Sequence, residues 1–385
     1  MKALFAEGLE RPQVKLKEKL LALNWPFLAL ITAITLIGVA ALYSVAGGSL
    51  EPWASRHVVR YCLGLALLFT VALSDIRFWL RVAYPLYIVV LLLLVGVLLF
   101  GVESGGAKRW IGWGEFSFQP SEIMKIALVL ALARYYQWLP PSQVSWPYAV
   151  LPPLALVGLP VVLALDQPDL GTAALFGIVG GGLLFLAGVS WLYFIGALVG
   201  VIVVLPHIWA KLHDYQQERI LTFIDPERDP SGSGYHILQS KIAIGSGGFA
   251  GKGFMQGTQA QLNFLPEKHT DFIFTMFSEE MGFIGAAVLL ALYLLVLLFI
   301  TYMALRCRST FPRLVAGGMG LCLFAYVFIN VAMVTGLMPV VGVPLPLVSY
   351  GGTSMLTMMA GLGFVLNAHI NRETRIRREE IGPFW

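Results

Sequence analysis

Roughly ten stretches of this chain are apolar for long enough to cross the ~30 Å hydrocarbon core of a bilayer, which takes about 20 helical residues. They lie near 23–45, 57–74, 79–101, 119–138, 147–165, 170–188, 190–209, 271–305, 313–338 and 350–370. Backbone groups in hydrocarbon must be satisfied within their own segment, so runs of this length read as helices. The expected fold class is an all-α polytopic membrane protein, with about ten transmembrane helices and a large extracytoplasmic loop between helices 7 and 8. Composition supports this: 58% of residues are hydrophobic and 12% charged, with mean hydropathy +0.77, which excludes a soluble cytosolic enzyme. A net charge of +4 is too small to suggest nucleic acid. Cys62, Cys307 and Cys322 are scattered and form no CxxC, so neither a structural zinc nor a disulfide framework is expected.

Orientation follows from Lys and Arg. One set of connections holds Lys2, Arg11, Lys15, Lys17 and Lys19, then Arg77, Arg81, Arg134, Arg306, Arg308 and Arg313, and finally Arg372, Arg375, Arg377 and Arg378. The short connections on the other side hold only Arg56, Lys108 and Arg109. Residues 1–22 and 371–385 are therefore expected to be cytoplasmic, flanking a membrane domain at 23–370 whose 210–270 loop faces outward. The first span has no small-residue cleavage site and reads as an uncleaved anchor. Glycines such as Gly177 with Gly181 read as helix-packing positions.

The loop carries Asp225-Pro226-Glu227-Arg228-Asp229-Pro230, Gly234-Tyr235-His236, Gln239-Ser240-Lys241, a glycine-rich run, and Phe264 to Asp271. Nucleotide motifs fail on inspection: Walker A needs a Gly six residues before its Lys, and Lys252 has Ser246 there. No EF-hand pattern surrounds Asp225 and Asp229. What remains is a flexible loop whose backbone N–H groups are able to wrap an anion, with Lys241, Lys252 and Lys268 nearby. Asp271 ends it at the membrane interface. Thr270 and Asp271 suit a helix N-cap, and a carboxylate bordering hydrocarbon also suits a general base. Glu267, Lys268 and His269 crowd beside it, with Glu279 and Glu280 two turns further on.

Three more polar sets lie on the outer side by this topology. The first is Lys108-Arg109-Trp110 with Gln119-Pro120-Ser121-Glu122 and Lys125; Glu122 and Lys125, at i and i+3, share a helix face and are placed to pair. Another is Gln167-Pro168-Asp169-Leu170-Gly171-Thr172, and the last runs from Asn330 through Pro339, Pro344 and Pro346 to Ser349-Tyr350-Gly351-Gly352. Prolines at that density break a helix, and broken backbone at membrane depth belongs in protein or along a cavity. All four sets are expected to converge on one outward-facing cleft.

These residues, in this order and spacing over about 105–355, resemble the SEDS proteins (shape, elongation, division, sporulation). Phe264-Leu265-Pro266-Glu267-Lys268-His269 and Gly251-Lys252-Gly253 resemble the elongation branch, RodA, more than the division branch, FtsW. The resemblance implies a peptidoglycan glycosyltransferase of the bacterial inner membrane that polymerises lipid II into glycan strands during cell elongation. Its implied partners are lipid II, the growing glycan strand, a class B penicillin-binding transpeptidase, rod-complex proteins and membrane lipid, with no nucleic acid. It places the essential aspartate at Asp271, the polar helix pair at Glu122 and Lys125, and the outer-loop arginine at Arg109. Asp169, Gln239, Ser240, Lys241, Lys252, Glu267, Lys268, His269 and Ser349 are the further expected substrate-binding residues. Converting an α-linked donor into a β-1,4 glycan inverts the anomeric carbon, so one base on the acceptor hydroxyl suffices. A divalent cation, Mg or Mn, suits the pyrophosphate; no organic cofactor is implied, and no all-protein metal cage is visible. A lipid II flippase and a non-catalytic scaffold for the transpeptidase are the rival readings.

Overall fold

A computed structural model describes residues 16–104, 107–113, 116–211, 214–225, 228–229, 232–261, 265 and 267–376. Lys2, Arg11, Lys15, Pro226, Glu227, Pro230, Phe264, Pro266, Arg377 and Arg378 lie outside the described residues.

In chain order the elements begin with a short α1 (Leu16–Leu21), then α2 (Trp25–Val45), α3 (Ala54–Leu73) and α4 (Ile76–Phe100). Strands β1 (Val102–Ser104), β2 (Ala107–Trp113) and β3 (Phe116–Phe118) follow. Next come α5 (Pro120–Trp138), α6 (Pro147–Asp166), α7 (Leu170–Leu186) and α8 (Trp191–Lys211). The 210–270 region holds α9 (Asp214–Ile224), α10 (Ser233–Ser246) and α11 (Thr258–Gln261), and the chain continues with α12 (Ile273–Leu305), α13 (Thr310–Val334) and α14 (Gly352–Ile370). Ten of these helices, α2–α8 and α12–α14, fall within a few residues of the predicted apolar runs. Among the described residues, seven of them, α2, α3, α4, α6 and α12–α14, are long and apolar enough to cross a membrane by length and composition.

Helix α5 is the exception that explains the core. It carries Glu122, Lys125 and Arg134, yet nearly all of it is buried. A helix enclosed on all sides meets protein rather than lipid, and there its charges find partners. It packs against α4, α6, α7, α13 and α14. Most of α13 and α14 is likewise buried, whereas α3, α4, α6 and α12 keep most of their apolar surface outward, as lipid-facing helices do. Gln119 is extended and Pro120 opens the helix, where a missing N–H costs nothing.

The structure departs from the sequence expectation in three places. The connection before α5 is a small antiparallel sheet in the order β1-β2-β3, with Ile111 opposite Phe118. The described part of the 210–270 region is largely helical rather than a loop: α10 packs against α12 and α13, and Ser240 is fully buried. Helix α12 breaks at Gly282, whose φ of 65° and ψ of −166° interrupt the ladder.

Candidate functional site

Asp271 lies in the turn that precedes α12, and three long-range hydrogen bonds fix that turn. Asn330 of α13 donates through Nδ2 to the carbonyl oxygens of Asp271 (2.8 Å) and Val343 (2.7 Å). Ser349 Oγ donates to Thr270 O (2.6 Å) while accepting from Leu345 N (2.7 Å). Tyr350 N donates to His269 O (2.9 Å). The proline-rich segment 339–350 therefore acts as a cradle: its irregular backbone finds partners in the turn that presents the carboxylate. Phe272, not Asp271, occupies the N-cap position of α12 and makes no side-chain cap bond. Thr270 Oγ1 instead donates to Glu267 Oε2 (2.9 Å) within the turn.

The neighbours of Asp271 form an aromatic and basic row. His269 stacks on Trp53, with ring centroids 4.6 Å apart and an 11° interplanar angle. Tyr350 follows, 5.8 Å from His269 between centroids. Arg60 lies 4.2 Å above the Tyr350 ring and donates through Nη2 to its hydroxyl (3.1 Å). The other terminal nitrogen of Arg60, Nη1, is buried with no hydrogen-bond partner. Burial lowers the pKa of His269 below the ordinary histidine value, opposed by Glu267 and reinforced by Lys268, so a neutral ring faces Trp53 at neutral pH. Burial also lowers the pKa of Lys268.

The second predicted set is a closed hydrogen-bonded triad. Lys125 Nζ donates to Glu122 Oε1 at 2.7 Å and to the Tyr326 hydroxyl, while that hydroxyl also reaches both Glu122 oxygens at 2.8 and 2.9 Å. The Lys125 side chain is only 1% exposed. The triad lines a cleft between α5, α13 and α14, walled by Met319, Cys322, Met358 and Gly361. Tyr326 and Asn330 are four residues apart on α13, hence on one face about one turn, ~6 Å, apart. That face links the triad to the Asp271 turn.

The third set joins from the other side. Arg109 Nε lies 3.8 Å from Asp169 Oδ2, and its Nη2 donates to Pro168 O. Asp169 caps α7 by accepting from Thr172 N (3.0 Å) and Thr172 Oγ1 (2.8 Å). Gly171 in turn packs so closely that a Cβ would come within 2.6 Å of Val341 O, and a Cβ on Gly342 would sit 3.4 Å from Asp271 Oδ2. The Asp169–Gly171 turn and the Asp271 turn thus both border the segment 341–342.

Several residues expected to bind substrate have partners within the protein. Ser240 Oγ bonds Val334 O and Thr275 Oγ1, both at 2.7 Å. Lys241 lies over Gly336, at the C-terminal end of α13. Lys252 Nζ donates to Glu279 Oε1 at 2.6 Å. The glycine-rich run does wrap an anion with its N–H groups, but the anion is this protein's own: Glu279 accepts from Thr258 N (3.0 Å) and Gln259 N (3.2 Å). Gln239 is half-buried on α10, and Glu267 is exposed. The sequence reading missed Arg60, although an arginine about one turn inside the apolar run at 57–74 is itself a functional signal; it also missed Trp53 and Tyr326, for which no sequence signal stands out.

Comparisons with known proteins place the whole chain among relatives of one family. Residues 19–374 match the family model for FtsW, RodA and SpoVE, described as cell cycle protein. The chain is 45% identical over 349 residues to the peptidoglycan glycosyltransferase MrdB of Escherichia coli K12, covering 90% of this chain and 93% of that protein. Among solved structures, it superposes with a TM-score of 0.81 and 35% identity on a chain of a peptidoglycan synthase complex that coordinates polymerization and crosslinking, covering 92% of this chain and 100% of that one. It superposes with a TM-score of 0.70 and 31% identity on the rod shape determining protein RodA of Thermus thermophilus, covering 92% and 99%.

Proposed function

The chain belongs to the SEDS family, the group of FtsW, RodA and SpoVE, and from that premise we propose that it is a peptidoglycan glycosyltransferase of the elongation branch. It polymerises lipid II into glycan strands beside a class B penicillin-binding transpeptidase and other rod-complex proteins. The observation that carries this reading is the pairing of 45% identity to a peptidoglycan glycosyltransferase over 90% of the chain with a carboxylate held at the meeting point of its polar sets.

The chemistry is a single inverting displacement. Asp271 accepts the proton of the acceptor 4-hydroxyl as that oxygen attacks the anomeric carbon of the donor. The bond from that carbon to the pyrophosphate oxygen breaks, and the undecaprenyl pyrophosphate departs as an anion. The acceptor keeps the new β-1,4 bond, and Asp271 holds the proton. A leaving pyrophosphate needs fixed positive charge. Arg60 supplies an N–H without a protein partner on the same row as His269, and Lys268 lies three residues before Asp271. Arg109 and Lys125 are already engaged by Asp169 and Glu122, so they act on the substrate only by sharing their donors. A lipid-borne substrate reaches the site from the bilayer, along the apolar surfaces that α3, α4, α6 and α12 turn outward.

The described residues offer a resident metal no all-protein cage. Among the described residues no group of three or more His, Cys, Asp or Glu side chains comes together. No step is assigned to a protein-bound cation; magnesium or manganese in this reading travels with the pyrophosphate as part of the substrate.

We place residues 1–22 and 371–385 in the cytoplasm and 210–270 outside, on the Lys and Arg asymmetry. A cysteine at Gln256, which is exposed, reacts with an impermeant maleimide in intact spheroplasts when the native cysteines are replaced. Labelling that requires permeabilisation overturns the orientation. The functional test is the purified protein with lipid II, with and without its transpeptidase, scored for glycan polymer. Polymer is expected. Its absence in both, with lipid II still bound, shifts the reading to a flippase or scaffold.

A further inference from the structure

The break in α12 is filled by another part of the chain. In an unbroken helix Phe283 N would donate to Glu279 O, and Ile284 N to Glu280 O. At Gly282 both bonds are lost, and all four groups find new partners in the segment 248–253. Lys252 N donates to Glu279 O (3.1 Å) and Gly253 N to Glu280 O (3.0 Å), while Phe283 N donates to Gly248 O (3.0 Å) and Ile284 N to Phe249 O (3.2 Å). The loop is spliced into the helix as a missing turn. Gly282 and Gly251, with φ of 65° and 82°, make this possible, because a Cβ on either would overlap the other's strand of the splice.

Two carboxylates lock the splice. Glu279 is fully buried and accepts from Lys252 Nζ, Thr258 N, Thr258 Oγ1 and Gln259 N. Glu280 accepts from the N–H groups of Met255 and Gly257 and from Ser44 Oγ at the end of α2. Buried charge is expensive unless paired and hydrogen-bonded. The loop residues 252–259 therefore cannot leave without stranding both acids.

Geometry makes the lock matter to Asp271. The segment Ile273–Met281 is a short helix between the Asp271 turn and the break. Nine residues of helix place the turn about 14 Å from Gly282. A rotation of about 5° at that pivot moves Asp271 by roughly 1 Å, a misplacement that costs about 10²-fold in a reaction set by orientation. We infer that Glu279, paired with Lys252, is a positioning residue: it holds the loop in the break of α12 and thereby fixes Asp271 against the acceptor hydroxyl. This rests on reading Asp271 as the base.

The test uses the full chain with its transpeptidase. Lys252→Met removes one partner at a side chain that is 28% exposed, so the protein folds even where Glu279→Gln does not. Expected is a fall in kcat of about tenfold or more with KM little changed, recovery of most activity in Lys252→Arg, and faster amide exchange in peptides covering Phe283 and Ile284. The double variant Lys252→Met with Glu279→Gln falls no further than the worse single one, since both act through one contact. Wild-type kcat in a folded Lys252→Met protein, unchanged exchange at 283–284, or a loss that only tracks melting temperature each overturns the inference. A wild-type protein that makes no polymer from lipid II sinks the proposed function instead, and the exchange measurement then still decides whether Lys252 and Glu279 lock the splice.

Discussion

Asp271→Asn is expected to fold normally and to make almost no glycan. Losing a general base typically costs about 10²–10⁴-fold in rate, or roughly 3–5 kcal/mol of barrier. Three contacts that hold the turn are accepted by its backbone carbonyls: Asn330 grips the carbonyl of Asp271, and Ser349 and Tyr350 grip those of Thr270 and His269. An asparagine leaves every one of them intact. Phe272, not Asp271, occupies the N-cap of α12, so the substitution leaves that position unchanged, and stability should change by less than about 1 kcal/mol. Glycan polymer made from lipid II and thermal unfolding, measured on the same preparation, separate the two effects. Near-normal polymer from a stable Asp271→Asn protein would refute the assignment of the base. A loss of polymer together with an equal loss of folded protein would mean that the carboxylate has a structural task instead.

How much of this was legible in the sequence depends on what kind of interaction fixed each feature. The long helices were, because a run of about 20 apolar residues has few other fates in a bilayer. Even α5 was readable through its three charges, since Pro120 and the i, i+3 spacing of Glu122 and Lys125 are local signals. The 210–270 region was not. Its helices α9, α10 and α11 are short, and α10 is held by contacts with α12 and α13, which no local periodicity encodes. Lys252 illustrates the limit. A lysine among glycines reads as an anion ligand, and it is one, but its anion is Glu279, 27 residues away. Glu279 and Glu280 were noticed only as acids crowding Asp271, because a break at Gly282 filled by a distant loop leaves no pattern in the helix itself. Arg60 shows the opposite failure. Its position inside an apolar run was a signal available from the start, and its partner Tyr350 lay in a motif already singled out.

Breaking the Glu122–Lys125 pair is the second large effect expected, and it separates structure from chemistry. Lys125→Met leaves a carboxylate in a site where the lysine side chain was 1% exposed, with the Tyr326 hydroxyl still donating to it at 2.8 Å. Stranding one member of a buried pair typically costs about 3–5 kcal/mol, enough to lower the yield of folded protein markedly. Removing both charges is different. Glu122→Gln with Lys125→Met replaces the pair by neutral groups of similar volume, and such replacements are often neutral or stabilising. The double variant should therefore recover the melting temperature of the wild type. Whether it recovers polymerisation decides the role of the pair. If the triad only anchors α5 to α13, a stable double variant makes glycan at the wild-type rate. If Lys125 lends its charge to the pyrophosphate, one helical turn of α13 from the Asn330 that holds Asp271, the double variant is stable and inactive. Lys125→Arg then restores only part of the rate, because a planar fork does not replace an ammonium within the Glu122–Tyr326 triad. The proposed site predicts the stable, inactive outcome; full activity in the double variant would take Glu122 and Lys125 out of it.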